Sequence, residues 1–208
     1  MADDGSAIWD AHAATFDEEP DHGLRDPFVR RGWAELLAGV LPPAPASIVD
    51  LGCGTGSLTT LLAEAGHRVC GLDASAKMLA VARRKAADHG VAVPLIRGDV
   101  SRPPLAPGSF DVVLVRHVLW AVQERDATLA RWIRLLRPSG RLVLIEGRWT
   151  TGAGLSAAEA SALLRRHGRN AELRLLDDDV LWGKTITDER YLLLSRQVRD
   201  HDGGRGLA

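Results

Sequence analysis

Along the chain the spacing of apolar residues switches repeatedly between the helical and the strand period. Val29, Trp33, Leu36, Leu37 and Val40 fall on one face of a helix over 29–40, which Pro42 and Pro43 stop. A short apolar run at Ile48-Val49 follows and ends in Asp50-Leu51-Gly52. Leu58, Leu61, Leu62 and Ala65 predict the next helix, closed by Gly66. Residues 67–73 read as a strand, Ser75 caps a helix to about His89, and 93–98 is another strand. Phe110 to Val115 is a continuous apolar run of the kind a parallel sheet buries on both faces. Leu129, Trp132, Ile133 and Leu136 make a helix closed by Pro138-Ser139-Gly140, and Leu142 to Ile145 is the fifth strand. Ser156 and Glu159 have the spacing of a capping box, opening a helix to about Gly168. The pattern then changes. Leu173 and Leu175 alternate with Glu172 and Arg174, and a second alternating run covers 191–195. Two strands with no helix between them predict an antiparallel pair at one edge.

Strands alternating with helices imply an α/β fold with a parallel sheet covered on both faces. Right-handed crossovers put every strand-to-helix loop on one edge, and ligands bind in the crevice there. The chemistry should therefore follow Asp50, Asp73, Gly98, Val115 and Ile145. The expected organisation is a single domain. Residues 1–43 form a helical cover, 44–147 the core, 148–199 a helix and the antiparallel pair, and 200–208 a frayed tail.

Composition narrows the function classes. The 208 residues are 46% hydrophobic and 25% charged, which suits a globular chain that needs no disulfides or structural metal. A net charge of −1 argues against gripping nucleic acid by bulk charge. Cys53 and Cys70 lie in segments that read as core and form no metal motif. No apolar run is long enough for a membrane span, and the acidic start is no secretory signal, so the expected location is cytoplasmic.

Gly52, Gly54 and Gly56 follow the first strand and open a helix. Glycines let the chain turn tightly and let a ligand approach the backbone. The spacing is G-x-G-x-G, not the dinucleotide G-x-G-x-x-G. Asp50, at the strand end, would repel a pyrophosphate but suits an ammonium group. Asp73 ends the next strand, where a carboxylate can accept both hydrogen bonds of a ribose diol. Ala74 and Met78 follow it toward the same crevice. After the third strand, Gly98-Asp99-Val100 offers Asp99 to an exocyclic amine and Val100 to an aromatic ring. A ribose, an adenine and an amino-acid head group together describe S-adenosyl-L-methionine.

On these residues the chain resembles the class I S-adenosylmethionine-dependent methyltransferases, most of all the branch with the ubiquinone and menaquinone biosynthesis enzymes. The resemblance covers residues 45–147 closely, including the turn Leu136-Arg137-Pro138-Ser139-Gly140-Arg141. It implies a Rossmann-like three-layer sandwich whose sheet has seven strands, mostly parallel, with the last antiparallel. It also implies that the glycine loop and the residues around Arg116 to Val118 cradle the methionine end. Many relatives carry a longer stretch after the fifth strand, whereas here only 147–155 lies before the next helix. The cover is therefore expected from residues 1–30 and the loop 177–187.

Methyl transfer needs mainly a positioned nucleophile, with a base where the acceptor must lose a proton. His117, directly after the fourth strand, and His22, in the cover, are the candidate bases. Trp120, Trp149 and Trp182 follow the fourth, fifth and sixth strands and predict an aromatic wall for a flat acceptor. Glu146, ending the fifth strand, is a candidate polar contact. No metal site is expected. The expected function is O- or N-methylation of a small aromatic or heteroaromatic molecule by a monomer or homodimer. The alternatives are an RNA or other nucleic-acid methyltransferase, an NAD-type oxidoreductase and a non-catalytic binding module. No Asn-Pro-Pro-Tyr-like motif follows the fourth strand, and Asp177, Asp178 and Asp179 would repel phosphates.

Overall fold

The computed structural model describes residues 6–197; the expected tail at 200–208 lies outside them. The chain opens with α1 (Ser6–His12), a 3-10 turn (Phe16–Glu18), α2 (Pro20–Gly23) and α3 (Pro27–Val40). Pro27 starts α3 because its missing N–H is no loss in a first turn, and Asp26 caps the free N–H groups of Phe28 and Val29. The core alternates: β1 (Ser47–Leu51), α4 (Ser57–Glu64), β2 (Arg68–Asp73), α5 (Ala76–Asp88), β3 (Leu95–Arg97) and β4 (Phe110–Arg116). Then come α6 (Arg125–Leu135), β5 (Leu136–Arg148), α7 (Ala157–Arg166), β6 (Arg169–Leu175), α8 (Asp179–Trp182) and β7 (Glu189–Gln197). Ser75 caps α5 through the Met78 N–H, and Ser156 with Glu159 forms the capping box of α7.

The seven strands run in the order β3-β2-β1-β4-β5-β7-β6. All pairings from β3 to β5 are parallel, and β7 is antiparallel to both β5 and β6. The chain order reverses between β1 and β4, so a crevice opens between the loops that follow them. Alternate residues of each strand feed opposite cores. Ile48, Val112, Leu114, Val143 and Ile145 pack with α3, α4 and α8, while Val49, Val113, Val115, Leu142 and Leu144 pack with α6 and α7.

The fold differs from the expected pattern in three places. The fifth strand starts at Leu136, where α6 ends, because Leu136 already pairs with Phe110 before a register shift. The last two strands are separated by the one-turn helix α8, which Asp178 caps through the Val180 N–H. These two strands nonetheless form the expected antiparallel pair at one edge of the sheet, β6 outermost and β7 between β5 and β6. Cys70 is half-buried and not core, since it stands near the exposed start of β2.

Candidate active site

The carboxyl ends of β1, β2 and β4 open into one cavity of about 550 Å³, within the ~300–1,000 Å³ usual for small-molecule pockets. Gly52 has φ +74°, and a Cβ there would stand 2.4 Å from Val118 Cγ2. Only glycine lets the loop after β1 make this turn against the loop after β4. Gly54 has φ +53°, and its Cβ position faces the Phe16 ring at 3.7 Å. Gly56 does not line the cavity. A Cβ on it would stand 2.8 Å from Ala82 Cβ, so it lets α4 pack on α5.

Asp73 is nearly buried, and its two oxygens accept 2.8 Å hydrogen bonds from the Gly54 and Ser75 N–H groups. Burial raises its pKa despite these bonds. Ala74, Met78 and Val100 add apolar surface beside it. Asp99 reaches the cavity, but its carboxylate accepts from the Ser101 N–H at 2.7 Å and the Ser101 hydroxyl at 2.6 Å. Gly98 lies outside the lining. Its N–H donates to the Asp73 carbonyl at 3.0 Å, and Pro104 fills the space beside it. Asp50 accepts from the Thr59 hydroxyl at 2.6 Å, and burial pushes its pKa up to about 6. It remains mostly ionised at neutral pH.

Arg116, at the end of β4, donates to the Asp21 carbonyl at 2.7 Å and lies over the Trp33 ring at 5.1 Å. His117 follows with φ +57°, an uncommon conformation for a non-glycine residue. Its ring meets Trp149 edge-on at 5.3 Å and stacks on Trp182 at 6.0 Å. Its buried Nε2 has no hydrogen-bond partner among the described residues. Burial, followed by the charges of Arg116 and Arg190, pushes its pKa well below the usual histidine range. His117 is therefore a neutral imidazole at pH 7. Trp120 and Trp149 line the cavity with ring centroids 5.2 Å apart. His22 also lines it, stacked on Phe16 at 4.2 Å, and burial lowers its pKa.

Two residues expected at the acceptor stand behind it instead. Trp182 is fully buried, edge-on to Trp33 at 5.5 Å, with its indole N–H donating to the Leu176 carbonyl at 2.9 Å. It supports His117 from the core and does not reach the cavity. Glu146 is fully buried, and its Oε1 accepts from the Val118 and Leu119 N–H groups at 3.0 and 2.6 Å. Its role is to hold the loop after β4. The acids Asp177, Asp178 and Asp179 do not line the cavity either; Asp178 caps α8, and Asp179 accepts from the Thr185 hydroxyl at 2.8 Å.

The cover comes from the N-terminal segment. Asp17 is buried, 2.9 Å from Lys85 Nζ, and accepts from the Thr55 hydroxyl at 2.5 Å. Asp10 accepts from the Ser75 hydroxyl and the Lys77 N–H. On the other side Glu19 pairs with Lys184 at 2.5 Å. Thr55, Lys184 and Arg190 line the cavity although the sequence pattern did not single them out. A signal for Arg190 existed: β7 runs antiparallel, so its first residues, not its last, fall on the crevice edge. Among the described residues, no group of three His, Cys, Asp or Glu side chains is placed to hold a metal ion, and no helix is long and apolar enough to cross a membrane.

The arrangement fits S-adenosylmethionine. Gly52 and Gly54 line the floor without side chains, Asp73 and Asp50 supply carboxylates, and Met78 with Val100 forms an apolar shelf. Comparison with known proteins agrees. Residues 49–144 match the family model described as "Methyltransferase domain". The demethylmenaquinone methyltransferase of Thermus thermophilus is 38% identical over 51% of this chain and 49% of its own length. The ubiquinone biosynthesis O-methyltransferase of Cupriavidus pinatubonensis is 34% identical over 64% of this chain and 51% of its own. The chain thus spans about half the length of these curated relatives. Among solved structures, an S-adenosylmethionine-dependent methyltransferase from Mesorhizobium loti shares the fold. Its TM-score is 0.65 at 22% identity, covering 81% of this chain and all of the other. Residues 49–144 thus match a methyltransferase domain, and the chain is similar over about half their length to the demethylmenaquinone and ubiquinone-biosynthesis methyltransferases and shares its fold with a methyltransferase of known structure.

Proposed function

We propose that the protein is a methyltransferase that transfers the S-adenosylmethionine methyl group to a small, flat, aromatic or heteroaromatic acceptor. The observation that supports it is a single cavity lined both by Gly52, Gly54 and Asp73 and by Trp120, Trp149 and His117. When bound, S-adenosylmethionine supplies an activated methyl on a sulfonium. The chain's own residues then have to bind, orient and exclude water. Asp73 is the ribose acceptor, Asp50 answers the ammonium, and Met78, Val100 and Ala74 bed the adenine. Asp99 can serve the exocyclic amine only by sharing oxygens already engaged by Ser101.

Trp120 and Trp149 offer ring faces to a flat acceptor, and the Phe16–His22 stack closes over the glycine loop. His117 is the better-placed proton acceptor. Its lowered pKa keeps it neutral but makes it a weak base, so most of the rate comes from holding the acceptor in line. A nucleic-acid substrate has less support. The cavity is covered by residues 9–22, and its lining carries the acids Glu19, Asp21, Asp50, Asp73 and Asp99. Calorimetry with S-adenosylhomocysteine and with NAD tests the reading. Micromolar binding of the first and none of the second is expected. Tight NAD binding without a response to S-adenosylhomocysteine, or methylation of tRNA or DNA by the purified chain, would overturn it.

A further inference from the structure

We propose that the acceptor binds as an aryl oxyanion, a phenolate or carboxylate on a flat ring, and that Arg190 recognises it through Nη1. This rests on the reading of the Asp73 end as the cofactor end, because it assigns the opposite end to the acceptor. Arg190 stands near the start of β7, across from Gly147 of β5. A Cβ on Gly147 would lie 2.8 Å from Arg190 Cδ, so glycine there makes room for the arginine to cross the strand pair.

The guanidinium is fixed on two sides. Asp188 accepts from Nε at 2.8 Å and from Nη2 at 3.0 Å, with both side chains only 11% exposed. The indole rings of Trp182 and Trp149 lie 4.5 and 5.7 Å from its central carbon. Arg190 lines the cavity, and Nη1 makes no hydrogen bond among the described residues. Nη1 carries two N–H donors, and a guanidinium held by one carboxylate still has an edge for a second oxyanion. The arrangement is a pre-oriented anion donor beside an aromatic wall.

The charges around it agree. Lys184 is paired with Glu19, and the Arg116 guanidinium is answered by Asp21 and Asp50. At the His117 ring, burial and then the Arg116 and Arg190 charges disfavour a proton. Asp188 holds one edge of the Arg190 guanidinium, and a cation fixed beside the acceptor lowers the pKa of an acidic acceptor. An acceptor that arrives as O⁻ needs no base. The O–CH3 bond forms as the S–CH3 bond breaks, and the negative oxygen and positive sulfonium charges cancel. No proton is left over, which suits the weak basicity of His117.

The test titrates the full chain, saturated with S-adenosylhomocysteine, with 2-naphthoate and with its neutral isostere 2-naphthamide, followed by tryptophan fluorescence. The carboxylate should bind about 10- to 100-fold more tightly, the range of a hydrogen bond to a charged group. Arg190→Gln should erase this preference and Arg190→Lys should keep part of it, both with S-adenosylhomocysteine affinity unchanged. Equal affinity of the two probes for the wild type, a preference kept in full by Arg190→Gln, or no saturation by either probe would each overturn the proposal. Should Arg190→Gln not fold, the wild-type pair of titrations and Arg190→Lys decide. A chain that ignores S-adenosylhomocysteine sinks the methyltransferase reading, while the same two titrations without it still decide the anion site.

Discussion

At the Asp73 end of the cavity the wall is backbone and short side chains from the turns after β1, β2 and β3; at the Trp149 end it is long side chains from distant parts of the chain. Gly52, Gly54, Asp73, Ala74 and Val100 each sit where a strand stops, so sheet topology alone brings them together. His22, His117, Trp149, Lys184 and Arg190 meet only because the cover folds back and β7 runs against its neighbours. The first end tolerates little change, because its geometry is set by backbone conformation. The second is set by replaceable side chains, which is where acceptor choice can vary while the cofactor end stays constant.

The sharpest way to break this contrast is at Gly52. Alanine there must hold φ near +74° and push into Val118 Cγ2 at 2.4 Å. Backbone strain costs about 1–3 kcal/mol, and overpacking costs about as much again. Gly52→Ala should weaken S-adenosylhomocysteine binding at least about 100-fold and lower the melting temperature. The displaced Val118 leads directly to Trp120, so the damage should spread to the acceptor end. Near-normal calorimetric affinity would show that the glycine loop is not the rigid element described.

Glu146 links the two ends, because it pins the Val118 and Leu119 N–H groups. Burial pushes its pKa up to about 8, far above the unfolded value near 4.5. The folded state therefore favours the protonated acid. The stability this contributes is full below pH ~4.5 and is lost as pH rises through about 8. Asp50, raised to about 6, acts in the same direction over a narrower window. Glu146→Gln keeps an oxygen acceptor for both N–H groups but cannot ionise. Relative to wild type, the variant should gain up to roughly 4 kcal/mol between pH 5 and pH 8.5. Parallel pH dependence of the two melting curves would place the ionisation elsewhere.

Asp73→Ala tests the cofactor end alone. It removes an acceptor for the ribose and frees the Gly54 and Ser75 N–H groups. Hydrogen bonds to charged groups contribute about 1.5–3 kcal/mol, so S-adenosylhomocysteine should bind about 10- to 150-fold more weakly. Binding of 2-naphthoate should change much less. Equal losses for both ligands would mean that the two ends are one cooperative unit and not two.

The same contrast explains what the sequence made legible. Strand ends and helix caps follow from short-range pattern, and Asp50, Gly52, Gly54, Asp73 and His117 all fall at such points. Gly56 and Gly98 share the motif but face Ala82 and Pro104, because a motif fixes where the backbone turns and not which side each glycine shows. Trp182 and Glu146 were misplaced for a related reason. Their position at the crevice edge is right, but side-chain direction depends on α8 packing on α3 and on the unsatisfied N–H groups after β4. Lys184 lies in the loop 177–187 expected in the cover, though nothing marks its side chain, and Arg190 reaches the cavity because β7 runs in the reverse direction.

The smallest expected effect concerns which end the cover serves. Asp17 lies in the N-terminal segment, yet its partners Lys85 and Thr55 belong to the cofactor side. Phe16, its neighbour, stacks on His22 and faces Gly54. Asp17 is thus the point where the cover is latched to the glycine loop and α5. Asp17→Asn keeps an oxygen for the Thr55 hydroxyl but loses the ion pair, leaving Lys85 to Ser57 at 2.5 Å and Thr55 at 3.3 Å. Lys85 keeps the Ser57 and Thr55 hydroxyls and some contact with water, so a loss of about 1 kcal/mol is expected, well below the about 3–5 kcal/mol of stranding a fully buried charge. The consequence should be kinetic: S-adenosylhomocysteine should leave about 3- to 10-fold faster in stopped-flow displacement, with its association rate nearly unchanged. Amides over 8–22 should exchange faster with solvent, while those of β1 and β4 keep their protection. If release is unchanged while 2-naphthoate binding weakens, the cover belongs to the acceptor end, and the division of the cavity drawn from Asp73 and Trp149 has to be moved.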